Sequence, residues 1–142
     1  MFVRRCLICV VAAGCLLAGV AGLAGEPDPK LPPIQRLKGP RPSQAVFKAS
    51  SAKKPLVIET AEEAAKWFSE KALAELREKV DFAQQKLLVF AWRGSGGDRL
   101  TYSVAESYPE QVFFKLHRGR TRDLRAHLSM YALRANVRWS VR

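Results

Sequence analysis

The sequence predicts an α+β domain, with one or two N-terminal helices packed on an antiparallel sheet of about four or five strands. Three observations predict it. Ala64, Ala65, Phe68, Ala72 and Leu76 recur at helical spacing and form one apolar stripe. From Leu87 onward, short segments alternate apolar and polar residues with a period of two. Gly-, Pro- and Asp-containing turns separate those segments.

The elements follow in chain order. Arg4 and Arg5 precede an almost wholly apolar or Gly stretch from Cys6 to Leu23, followed by the polar Glu26-Pro27-Asp28-Pro29. Such a pattern describes a secretory signal peptide over residues 1–24, cleaved after Ala24. An uncleaved membrane anchor is the alternative, but the stretch is rich in Ala and Gly and no basic stop follows at once. Ala12-Ala13-Gly14-Cys15 also resembles a lipobox, although processing at Cys15 would leave the apolar Leu16–Val20 where a polar spacer is usual. Cleavage after Ala24 removes Cys6, Cys9 and Cys15 together. The mature chain then has no disulfide or thiolate chemistry, no membrane span, and room for one core.

Residues 25–54 carry six of the eight prolines, and seven basic against two acidic residues. They are expected to be a Pro-rich basic linker, solvated and extended, because proline blocks helix and removes ladder donors. Within it, Ala45-Val46-Phe47 is expected to pair as an early strand. The single folded domain is expected over residues 55–142.

Leu56-Val57-Ile58 is a short β-branched run, read as a strand. Thr60 and Glu63 form a capping box at a helix start. Glu62–Lys66 and Glu75–Lys79 stand at i,i+4 with the acid on the favourable side. Ser69 is placed to cap a second helix, and Trp67 and Phe68 are read as core anchors. Asp81–Gln84 turns into Leu87–Trp92, a strand apolar on both faces. Gly94–Asp98 reads as a hairpin loop. Leu100, Tyr102 and Val104 form the next alternating strand. Val112, Phe114 and Leu116 follow after the Tyr108-Pro109-Glu110 turn. Beyond the Arg118–Asp123 loop, Leu124, Ala126, Leu128 and Met130 keep the period, and Val137, Trp139 and Val141 close the chain.

The chain has 142 residues, is 48% hydrophobic and 26% charged, and carries a formal net charge of +11. That composition excludes a disordered tail, a multidomain enzyme and a Cys-rich zinc module. Charge is uneven along the chain. Residues 55–98 hold six basic and eight acidic residues, whereas residues 99–142 hold nine basic and three acidic. The electropositive part is therefore the C-terminal sheet and its loops.

Three constellations bear on chemistry. Gly94, Ser95, Gly96, Gly97 and Asp98 form a loop whose N–H groups suit an anion. It lacks the Lys and following helix of a phosphate cradle, and Arg93 stands where a nucleophile elbow needs Gly. His117 and His127 would face each other in a hairpin centred near Arg122, and with Asp123 they would offer two imidazoles and a carboxylate to a metal. Two solvated sheet histidines explain the same residues. The basic run Arg118, Arg120, Arg122 and Arg125 suits carboxylate and phosphate groups through guanidinium forks. Outside the cytoplasm an acidic protein or anionic envelope polymer is favoured over nucleic acid. A solvated basic face with no partner is the plain alternative. Paired carboxylates for glycoside chemistry are not indicated, because the acids sit mainly on the helical segment.

The turn Val80-Asp81-Phe82, the strand to Trp92, Gly94–Asp98, Gly119-Arg120-Thr121-Arg122-Asp123-Leu124-Arg125 and Tyr131-Ala132-Leu133 together resemble a family of small secreted planctomycete-type bacterial proteins. That family has no assigned activity, so the resemblance implies export and one domain over residues 55–142. More loosely, the Val-Asp-Phe turn and Gly-rich loop are similar to the C-terminal domain of the protease complex subunit PrcB, which implies a non-catalytic accessory module. Gly-Ser-Gly-Gly-Asp replaces the Thr-Gly-Gly-Tyr-like loop often found there.

The expected function is a non-enzymatic exported binding or accessory domain, without a cofactor, that presents Arg118–Arg125 and Gly94–Asp98 to an acidic partner. A small metal-dependent hydrolase using His117, His127 and Asp123, or a structural envelope protein, are the alternatives. No pattern in the sequence assigns an oligomeric state.

Overall fold

A computed structural model describes residues 28–142. The expected signal peptide, its cleavage at Ala24 and the Cys15 lipobox lie outside the described residues. Along the chain run β1 (Ile34–Leu37), α1 (Val46–Ala49), β2 (Leu56–Ile58), α2 (Ala61–Ala65), α3 (Glu70–Lys79), β3 (Gln85–Ser95), β4 (Arg99–Ala105), β5 (Gln111–His117), β6 (Leu124–Arg134) and β7 (Arg138–Val141).

The organising element is β3. Leu87 to Ala91 are all fully buried, so both faces of this strand are covered. Alternation then divides its side chains between two cores. Leu87, Val89 and Ala91 pack with Val46, Ile58, Ala64, Phe68 and Leu76 from the helical layer and β2. Leu88, Phe90 and Trp92 pack with Leu100, Val112 and Phe114 from a second sheet. The molecule is thus three layers: helices, a four-stranded sheet, and a three-stranded sheet. The first sheet has the order β1-β6-β3-β2 and is antiparallel throughout. The second has the order β4-β5-β7, with β5 and β7 parallel. The aromatic centre of the inter-sheet core is Phe90, Phe114 and Tyr131, whose ring centroids stand 4.8–6.0 Å apart in tilted or edge-on pairs.

The helices begin at their caps. Thr60 Oγ1 accepts from Glu63 N at 3.1 Å, while Glu63 Oε2 accepts from Glu59 N at 3.0 Å. Ser69 Oγ accepts from Ala72 N at 3.4 Å and opens α3. The break between α2 and α3 turns Phe68 into the core at 5% exposure, with Trp67 packed partly buried beside it. Among the described residues no helix is long and apolar enough to cross a membrane.

Three expectations are corrected. First, the strands form two sheets, not one of four or five, and three helices are present. The chain crosses from the first sheet to the second after β3, returns as β6, and crosses again to β7; β7 therefore lands parallel to β5. Second, Gly94–Asp98 is not a hairpin loop, because β3 and β4 lie in different sheets. Third, the described part of the 25–54 segment is not a free tether. Ile34 and Leu37 are buried, and β1 pairs with Met130–Leu133 of β6. The prolines flank this strand instead of interrupting it, and Pro33 still accepts from Arg134 N at 3.2 Å. Ala45-Val46-Phe47 belongs to a helical turn, not a strand. Its bonds run from Val46 N to Ser43 O and from Phe47 N to Gln44 O, both at 3.2 Å, with Val46 fully buried.

Candidate functional site

At one end of the sandwich the β3–β4 loop meets the β5–β6 loop. The glycines permit this: Gly97 and Gly119 lie so close that a Cβ on Gly119 would fall 2.4 Å from the Gly97 carbonyl carbon. Two carboxylates then cross-link the loops. Asp98, buried at 8% exposure, accepts from Gly119 N at 2.8 Å and from Trp92 Nε1 at 3.1 Å. Asp123 accepts from Gly96 N at 3.0 Å and from Arg125 Nε at 2.5 Å. Ser95 Oγ and Thr121 Oγ1 share a hydrogen bond of 2.7 Å, and Gly97 N donates to Thr121 Oγ1 at 3.2 Å.

These bonds set the electrostatics of both acids. Donation by Gly119 N–H, assisted by Trp92 and by the charge of Arg118, holds the Asp98 carboxyl below the usual range. The Thr121 hydroxyl, the Gly96 N–H and Arg125 hold Asp123 down to about 2. Both groups are therefore charged, and they occupy the N–H groups of Gly96 and Gly119. An incoming anion would have to displace a carboxylate that the protein already supplies. Gly94–Asp98 thus braces the loop that carries the arginines.

The arginines behave differently. Arg118, Arg120, Arg122 and Arg125 are all exposed on the loop that this scaffold braces. Arg93 and Arg99 are exposed at the same end, because the strand register sets Arg93 beside Ala126 and Arg99 beside His117. Among the described residues only Arg125 of these six forms an ion pair, with Asp123. Arg93 and Arg99 were not in the basic run expected from sequence. Their signal was the Arg-Gly-Ser-Gly-Gly-Asp-Arg bracket itself, which puts one cation on each side of the turn.

The two histidines are not brought together as expected. The hairpin that would oppose them does not form, because β5 and β6 belong to different sheets. His117 pairs with Arg99 on β4, and its Nε2 lies 3.0 Å from Thr101 Oγ1. His127 pairs with Trp92 on β3, stacks on its ring at 4.9 Å, and meets Ser95 O through Nε2 at 2.8 Å. Asp123 is engaged by Gly96 and Arg125. Among the described residues no group of three His, Cys, Asp or Glu is placed to hold a metal.

The opposite end of the sandwich is ordered by a different cation. Arg134, at 8% exposure, forms an ion pair with Glu110 and donates to Leu31 O at 3.0 Å and Asn136 Oδ1 at 3.0 Å. This guanidinium is fully engaged and ties the segment before β1 to the domain. No protein-family model matches the chain, and neither a curated protein nor a solved structure matches it.

Proposed function

We propose that this chain is an exported, non-enzymatic binding or accessory module whose arginine-rich end engages an acidic partner. One observation carries the reading: five exposed guanidinium groups without an ion-pair partner among the described residues stand at one end of the sandwich, around a cross-braced pair of loops. Bracing supports binding because a preorganised loop loses less conformational entropy when a partner docks. Guanidinium forks favour carboxylate or phosphate over neutral groups. Export rests on the basic, apolar and small-residue succession of residues 1–24.

The test is retention of the purified protein on an immobilised acidic protein at low and moderate salt. Retention should weaken as salt rises, since exposed charges are screened over about 10 Å at 0.1 M. Replacing Arg118, Arg120, Arg122 and Arg125 together by Ala should weaken binding about fourfold or more, taking roughly 0.2–1 kcal/mol for each exposed contact. Unchanged retention by that variant overturns the reading.

A further inference from the structure

The first sheet has two places where a neighbouring strand stops short, and they are treated differently. On the outer side of β3, β2 ends opposite Val89. The next outward-facing group, Ala91, is met by the Ser50 hydroxyl, at 2.7 Å from its N and 3.4 Å from its O. On the outer side of β6, β1 reaches only from Leu133 to Met130, while β6 runs back to Leu124. Arg134 N donates to Pro33 O, so even-numbered residues of β6 turn their N–H and C=O toward β1. Ala126 and Leu128 follow the same parity beyond the end of β1, where Gly39, at φ +118°, leads the chain away. Among the described residues nothing does for Leu128 and Ala126 what Ser50 does for Ala91.

The opening is a groove of about 420 Å³ along this edge. Pro40 and Phe47 give it an apolar wall, Arg36, Lys38 and Arg41 give it positive charge, and no Asp or Glu lines it. It also adjoins the arginine-rich end, since Arg93 and Arg125 flank Ala126 in the strand register.

We propose that the Ala126–Leu128 edge accepts an extended acidic peptide as an added strand of the first sheet. Backbone pairing supplies the affinity that a polysaccharide or lipid headgroup cannot, and the surrounding cations select Asp and Glu side chains on the peptide. This rests on the proposed function for the sign of the partner and adds its class, a polypeptide in extended form.

The experiment uses the full chain and three probes. These are an eight-residue peptide alternating Glu and Val, the same peptide N-methylated at every residue so that neither of its edges keeps a donor, and polyphosphate. Amide exchange at Ala126 and Leu128 should be fast in the free protein relative to Met130 and Ala132, and should slow about tenfold with the peptide. N-methylation, which removes the peptide's ladder donors, should weaken binding about tenfold. Ala126→Pro should weaken it several-fold, because it removes an edge-facing donor on an exposed residue and spares the β3 ladder. Polyphosphate should leave both amides fast.

Equal binding of the two peptides overturns the inference. It leaves the arginine reading intact if the four-arginine variant still loses binding. Conversely, binding that survives loss of those arginines yet fails on N-methylation keeps the edge and removes the loop. Slow exchange of Leu128 in the free chain means that its own residues already cover the edge, and the inference falls.

Discussion

Gly119 and Asp98 show how single residues build the arginine-rich end. A Cβ on Gly119 would lie 2.4 Å and 2.5 Å from two backbone atoms of Gly97, which cannot swing aside as a side chain can. Gly119→Ala should therefore cost about 2 kcal/mol, in the range of overpacking, as measured by urea unfolding. Removing the Asp98 carboxyl would leave Trp92 Nε1–H and Gly119 N–H without their acceptor. Asp98→Ala should accordingly cost about 2–3 kcal/mol in the same assay. The pH dependence follows from the same bonds. Asp98 and Asp123 are held below their ordinary range, so their contribution is complete above that range and is lost as pH falls through their folded-state values. Protection of the Gly96 amide, taken relative to its intrinsic exchange rate, should fall as pH drops toward about 2, where Asp123 takes up its proton, and protection of Gly119 should fall as Asp98 is protonated below the ordinary carboxylate range. Unchanged protection on acidification would separate the loop lock from its carboxylates. The glycines and aspartates were visible in the sequence as a turn. Their role as a lock was not, because the donor and acceptor of each cross-link lie 21 to 27 residues apart.

Elements differ in how much of their form is local. The helix starts at Thr60 and Ser69 were legible because a cap involves residues three positions apart. The strand at Ile34–Leu37 was hidden by its prolines, whose count suggested a tether while their positions left four residues free to pair. Val46 reached the core through a single helical turn too short to show periodicity. Element-level stability should follow burial and capping. Leu76, the fully buried residue of α3, should cost about 3 kcal/mol or more on replacement by Ala, since the cavity adds to the lost transfer energy. Ser50→Ala should cost about 1–2 kcal/mol by leaving the Ala91 N–H without an acceptor. A Ser50→Ala protein as stable as the parent would mean that the β3 edge does not depend on its hydroxyl cap, and the contrast with the β6 edge would weaken.

At the scale of the whole molecule, β3 and β6 are shared by both cores. Phe90 lies between the two sheets, at 4.8 Å from the Phe114 ring and 6.0 Å from the Tyr131 ring. Phe90→Ala should destabilise the fold by about 3–5 kcal/mol. The two sheets should unfold together, with tryptophan fluorescence and far-UV signals coincident, because no layer has a core of its own. The same three-layer stacking gathers basic loops from β3–β4 and β5–β6 at one end, while Arg134 braces the other.

Sequence by itself determined what depends on near neighbours: the caps, the period-two alternation, the doubly apolar run of β3, the turn residues and the sign of the charge. Those properties are set by steric and hydrogen-bonding choices within a few positions. Tertiary structure alone decided that the strands divide into two sheets, that β7 runs parallel to β5, that His117 and His127 face different partners, and that β6 is left with an open edge. The physical reason is that backbone hydrogen bonds are alike for every pair of strands. Alternation marks which face of a strand is buried, whereas its neighbour is chosen by the joint packing of all three layers.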